Sequence, residues 1–194
     1  MEKIIRYLIA LILMGIVIYS MVVLVPNSMK QMTVTPDDEV GKLEKSYVLN
    51  EHIAHGVKIG FTKEQIYEIF PKEKVRLIDL FLEGIPVPAM EISIDSKPSL
   101  IVELVNEKVY RIRVLDPRFI TPEGIHIGST LKELEQAYKE IIYGSVEGSV
   151  FATVRTIQMS FELDCAEQVP LEWYKSHDRN LLDDNTKIIK ILVF

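Results

Sequence analysis

Val57-Lys58-Ile59-Gly60-Phe61-Thr62-Lys63-Glu64-Gln65-Ile66-Tyr67-Glu68-Ile69-Phe70 has a second copy in the same chain. The copy is Ile125-His126-Ile127-Gly128-Ser129-Thr130-Leu131-Lys132-Glu133-Leu134-Glu135-Gln136-Ala137-Tyr138, aligned without a gap at a constant offset (128 − 60 = 68). Each copy carries the signature of a helix start. Thr62 is followed three residues later by Gln65, and Thr130 by Glu133, the spacing of a capping box. In that box the threonine hydroxyl accepts from an otherwise unpaired backbone N–H, and the Gln or Glu side chain reaches back to the cap. Ile66, Ile69 and Phe70 then fall at helical spacing, as do Leu134, Ala137, Tyr138 and Ile141, giving each helix one apolar stripe. Pro71 ends the first helix, and the glycine before each cap suits a tight turn out of an extended segment.

Outward from these copies the chain reads as strands. Val75–Leu82 is largely apolar, and Gly84-Ile85-Pro86-Val87-Pro88 interrupts it. Met90, Ile92 and Ile94 alternate with Glu91, Ser93 and Asp95, the period of a sheet with one wet face. Leu100–Val105, a turn at Asn106-Glu107-Lys108, and Val109–Leu115 read as an antiparallel hairpin. There, alternation sets Tyr110, Ile112 and Val114 against Arg111 and Arg113. In the second half, Ser160–Asp164 matches Glu91–Asp95 at offset 69, and Lys187–Val193 matches Lys108–Val114 at offset 79. The difference locates an insertion near 165–186, which holds Trp173, Tyr174 and His177.

The amino end reads differently. Tyr7–Val25 is uncharged, with Lys3 and Arg6 before it and Asp37, Asp38 and Glu39 beyond. As a helix of about 28 Å it matches a bilayer's hydrocarbon core. Signal peptides have shorter apolar regions and a small-x-small cleavage site, and no such site follows. The expectation is an uncleaved single-pass anchor over 1–25, amino terminus cytoplasmic, then a linker over 26–50. The first α+β repeat would occupy 51–118 and the second 119–194.

Composition narrows the function classes. The net charge of −6 argues against nucleic-acid binding, which needs basic patches that displace counterions. A single cysteine, Cys165, excludes an internal disulfide and a cysteine-based zinc site. His52 and His55 stand three apart without a third ligand nearby, so no metal or cofactor is expected. Cys165 with His177 is the one nucleophile–base pair worth testing.

The doubled apolar-x-apolar-Gly-x-Thr-x-x-(Glu/Gln)-apolar motif, followed by antiparallel strands, resembles the β-lactamase-inhibitor-protein-like fold. Small lipoproteins of the bacterial outer-membrane assembly machinery share that fold. The resemblance covers roughly Val57–Phe194 and implies helices on one face of an antiparallel sheet, with binding or scaffolding outside the cytoplasm. The chain departs from that family in lacking a lipid-attachment cysteine, and Phe70-Pro71 stands where a Gly-x-Pro often closes the first helix. No inhibitory residue carries over.

These readings combine into an α+β fold of two tandem repeats behind a transmembrane helix, each repeat a capped helix followed by antiparallel strands. The corresponding function is a membrane-anchored, extracytoplasmic binding or scaffolding module without catalysis. An inhibitor of an extracytoplasmic enzyme is the alternative, and a hydrolase comes third. A protein partner would meet either the insertion, through Trp173 and Tyr174, or the sheet face, through Arg111 and Arg113, since aromatic and arginine side chains dominate interface hot spots.

Overall fold

The computed structural model describes residues 47–82 and 84–194. The expected span at 7–25 and all but the last residues of the expected linker lie outside them. Among the described residues no helix is long and apolar enough to cross a membrane. The expectation of an α+β fold behind a transmembrane helix is therefore corrected. Among the described residues the chain builds one large antiparallel sheet with little helix.

A short hairpin comes first, β1 (Ile53–Ala54) against β2 (Val57–Lys58). Then α1 (Lys63–Ile69) leads into β3 (Val75–Leu82), β4 (Ile85–Ile94), β5 (Lys97–Val105) and β6 (Lys108–Val114). The second half follows with α2 (Leu131–Ala137), β7 (Ile141–Val146), β8 (Ser149–Val154), β9 (Met159–Leu163) and β10 (Ile188–Val193). All eight long strands form one sheet, in the order β3-β4-β5-β6-β10-β9-β8-β7. The last strand of each half meets the other at the centre. There Arg113 lies opposite Leu192, its own counterpart at the 79-residue offset (192 − 113 = 79). A pseudo-twofold axis passes between these two residues, so the halves are one sheet rather than two α+β units side by side.

The duplicated motif has a definite task in this arrangement. The Gly60 N–H donates to the Val109 carbonyl (2.8 Å), and the Val109 N–H donates back to Phe61 (2.7 Å). Gly128 and Ser129 make the same pair of bonds with Ile188, each 2.8 Å. The motif thus ties each helix start to the first turn of its own half's last strand. Both glycines sit at positive φ, +90° and +100°, a region closed to side-chain-bearing residues except under strain. Both capping boxes form: the Thr130 N–H donates to Glu133 (2.6 Å) and the Glu133 N–H to the Thr130 hydroxyl (3.1 Å), with Thr62 and Gln65 paired likewise.

Both helices stop after seven residues. Phe70 and Tyr138 turn extended and bury their rings, so Ile141, whose spacing suggests a continued helical stripe, instead opens β7. Ile66, Ile69, Leu131 and Leu134 pack in one cluster with Leu100, Val102, Ile112, Val114, Phe161 and Ile191. That cluster occupies one face of the sheet. Among the described residues, no helix lies over the opposite face.

Two-residue turns with both residues at positive φ join β4 to β5 (Asp95-Ser96), β5 to β6 (Asn106-Glu107) and β7 to β8 (Glu147-Gly148), as hairpins matched to the strand twist require. The sheet also carries a duplicated β-bulge. Tyr110 is the unpaired residue between Val109 and Arg111, and Ile189, its counterpart, is unpaired between Ile188 and Lys190. Each bulge shifts the alternation by one residue. Tyr110 is exposed in consequence and Val109 takes the core position, contrary to simple alternation.

Candidate functional site: the open face of the sheet

Directly below the bulges, the strands aim a set of charges onto the helix-free face. Arg111 pairs in register with Glu103 across β6 and β5, and Lys190 with Glu162 across β10 and β9. These pairs are related by the pseudo-twofold axis. Glu103 is 1% exposed and accepts from Arg111 Nε (2.9 Å) and Nη2 (2.6 Å), and also from Arg113 Nε. Glu162 accepts from Lys190 Nζ and from the Ser149 hydroxyl (2.9 Å). A buried carboxylate needs this many donors, because an unpaired charge out of water is costly.

Each cross-strand pair is neutral in sum. Arg113 is the odd cation, since its symmetry counterpart is Leu192. Its guanidinium spends Nε on Glu103, while Nη1 and Nη2 make no protein hydrogen bond among the described residues. The side chain is 18% exposed and lines a trough of about 500 Å³ on the open face. Arg111, Lys190, Glu162 and Leu192 share its floor. Ile85 and Val87 of β4 form one wall, and Val146, Glu147, Ser149 and Phe151 of β7 and β8 the other. The first wall rises because β4 pairs with β5 only as far as Ala89, while β3 and β4 stay paired out to Leu82 and Ile85. The part of that ribbon beyond β5 carries exposed Phe81 and Ile85.

Of the four residues singled out in the sequence, the structure brings Arg111 and Arg113 together and sets the other two elsewhere. Trp173 is 0% exposed, in a single helical turn over Trp173–Ser176, and its indole N–H has no hydrogen-bond partner among the described residues. It fills the core beneath the insertion and offers no face to a partner. Tyr174 is half-buried, its hydroxyl donating to the Ala166 carbonyl at 3.0 Å. The insertion is clamped to α2 by Arg179, which donates to both oxygens of Glu135 and to Asp184. Its end lends carbonyls to the helix start, Thr186 to the Leu131 N–H and Asp184 to the Lys132 N–H.

The remaining sequence candidates are held in other contacts. Cys165 is 4% exposed, and burial pushes its thiol up to about 11, which leaves almost no thiolate at neutral pH. The His177 ring packs edge-on against Trp173 at 5.1 Å. His52 precedes β1 and His55 stands in the turn to β2, so the two do not share a helix face. His52 bonds through Nδ1 to the Phe194 carbonyl, and His55 packs among Tyr47, Phe70 and Phe119.

Glu103, Glu162 and Lys190 escape the sequence reading. Matching Ser160–Asp164 to Glu91–Asp95 aligns Glu162 with Ser93, whereas the sheet makes β9 the counterpart of β5 and Glu162 that of Glu103. The signal that was available is the opposite charge two strands need where Arg111 and Lys190 face the same side.

No family model matches this chain, and no curated protein matches it. Among solved structures it is similar to the uncharacterized protein yfeY from Escherichia coli, with a TM-score of 0.53 and 16% sequence identity. The match covers 77% of this chain and 98% of that one. At such identity the likeness shows the fold alone, and none of these comparisons bears on the β-lactamase-inhibitor-protein-like resemblance.

Proposed function

We propose that this chain is a protein-binding module without catalysis of its own, and that it meets its partner on the open face of the sheet. The observation that carries this reading is the trough itself. It is a concave surface on the sheet, with Ile85, Val87, Val146 and Phe151 in its walls and charges held on its floor by cross-strand pairing. Such preorganisation lowers the ordering cost of binding, and apolar walls around a few oriented polar groups are what a recognition surface needs. A reaction would need a group free to give or take a proton or to attack. Glu103 and Glu162 are held by cations, and the thiol is buried.

The test is in-cell photocrosslinking of the full chain with probes replacing Val87 and Phe151, one on each wall, and Lys132 on α2 as the control. Discrete adducts at both wall positions and none at Lys132 are expected. Wall positions that give no adduct in folded protein, or the same adducts as Lys132, overturn the reading.

A further inference from the structure

We infer that the trough takes an extended peptide segment of its partner and that Arg113 recognises a side-chain carboxylate, aspartate or glutamate, on that segment. This rests on the binding reading above and adds the partner's chemistry to it. The argument is one of charge complementarity. The pseudo-twofold axis duplicates the cross-strand ion pair, Arg111 with Glu103 and Lys190 with Glu162, and each duplicate cancels its own charge. At the axis the duplication fails, because Arg113 stands opposite Leu192. Glu103 carries one negative charge and faces two guanidiniums, so one positive charge is left over on the floor, and the trough's remaining carboxylate, Glu147, stands away from it on the β7–β8 turn. The free Nη1 and Nη2 of Arg113 form the end of a planar fork, the geometry that matches a carboxylate.

The shape favours a peptide over a small carboxylate. A site for a small molecule encloses roughly 70–90% of its ligand, whereas this trough is open along the sheet. From β4 to β7 it crosses six strand spacings, an arc of about 29 Å at about 4.8 Å per strand, room for roughly eight extended residues. Ile85 and Val87 at one end and Val146 and Phe151 at the other suit aliphatic side chains flanking a central acid, and Glu147 beside Val146 disfavours a second acid at that end.

The experiment pans a phage-displayed library of random octapeptides against the full chain, then measures the enriched peptides by fluorescence anisotropy. Enriched peptides are expected to carry a central Asp or Glu. Converting that acid to its amide should weaken binding about ten- to hundredfold, the scale of a hydrogen-bonded charge. Arg113→Leu repeats the residue its symmetry counterpart already holds, so the fold should survive. It should cost the acidic peptide the same factor and leave the amide peptide unchanged, the signature of direct coupling. Arg113→Lys keeps the charge without the fork and should fall between the two. Free glutamate at millimolar concentration should not displace the peptide. Enriched peptides without acidic residues, equal losses for acid and amide, or displacement by free glutamate each overturn the inference. If the wall probes crosslink while the library shows no acidic preference, binding at this face stands and the carboxylate fails. Silent wall probes remove both.

Discussion

Replacing Glu103 by glutamine tests whether the floor of the trough is the electrostatic knot described here. The side chain is 1% exposed and accepts three hydrogen bonds from two guanidiniums. Glutamine keeps the shape, removes the charge and turns an N–H toward an arginine. Breaking a fully buried pair costs about 3–5 kcal/mol, and breaking an exposed pair costs about 0–1 kcal/mol. Arg111 and Arg113, at 19% and 18% exposure, border the trough and recover part of their hydration, so the loss should be about 2–3 kcal/mol. For a domain of this size that lowers Tm by roughly 5–10 °C, which scanning calorimetry resolves. Glu162→Gln is the internal control. It takes the carboxylate from one lysine while the Ser149 hydroxyl keeps an amide oxygen to donate to, and should cost about 1–2 kcal/mol. Replacing Glu103, Arg111 and Arg113 together by leucine should recover most of the stability, because an apolar set leaves no charge unpaired. A Glu103→Gln shift smaller than that of Glu162→Gln would refute the reasoning. So would a triple variant as unstable as the single one.

Other perturbations separate the remaining contributions. Thr130→Ala and Thr62→Ala should each cost about 1 kcal/mol in urea unfolding, the former more, because its cap bonds are shorter, 3.1 Å against 3.4 Å. The two losses should add, since the caps share no partners. Asp116, held by hydrogen bonds from Arg118 and against its own burial, has its carboxyl lowered to about 2. Its stabilisation is therefore complete above the unfolded value of about 4 and is lost as pH falls toward 2. Asp116→Asn should flatten that part of the stability–pH curve measured by denaturant titration, and an unchanged slope would contradict the assignment. Cys165 in native protein should resist iodoacetamide at neutral pH and react only as denaturant unfolds the core. Labelling at the rate of a free thiol would show the burial to be wrong.

What was legible in the sequence is what short segments decide for themselves. The capping boxes at Thr62 and Thr130 form because each needs only residues three apart, and Gly60 and Gly128 make the tight turn before each cap at a positive φ that glycine takes without strain. The hairpin of Leu100–Val105 with Val109–Leu115 was readable because its turn fixes its register. The rest depends on partners far away in the chain. Tyr110 looked like a core residue because alternation has no sign for a bulge, and the bulge exists only relative to Glu103 and Leu104 on the neighbouring strand. Ile141 fits a helical stripe, yet Tyr138 leaves the helix to bury its ring against Phe161. Trp173 reads as an interface anchor by residue type, and its position over the core decides otherwise.

The trough shows the same division at the level of function. Arg111 and Arg113 are visible as outward-facing cations two residues apart, but their difference in role is not. Arg111 belongs to a neutral pair that the second half repeats with Lys190 and Glu162. Arg113 sits where β6 and β10 cross the pseudo-twofold axis, so the residue opposite it is its own counterpart. A symmetric pair of arginines there would set like charges directly across from each other at about 5 Å, which destabilises a sheet. A symmetric pair of leucines would leave the face neutral. One arginine against one leucine avoids the repulsion and keeps a single charge on the floor. That charge arises from the meeting of two segments 79 residues apart, which is why composition, with its net charge of −6, gives no hint of it.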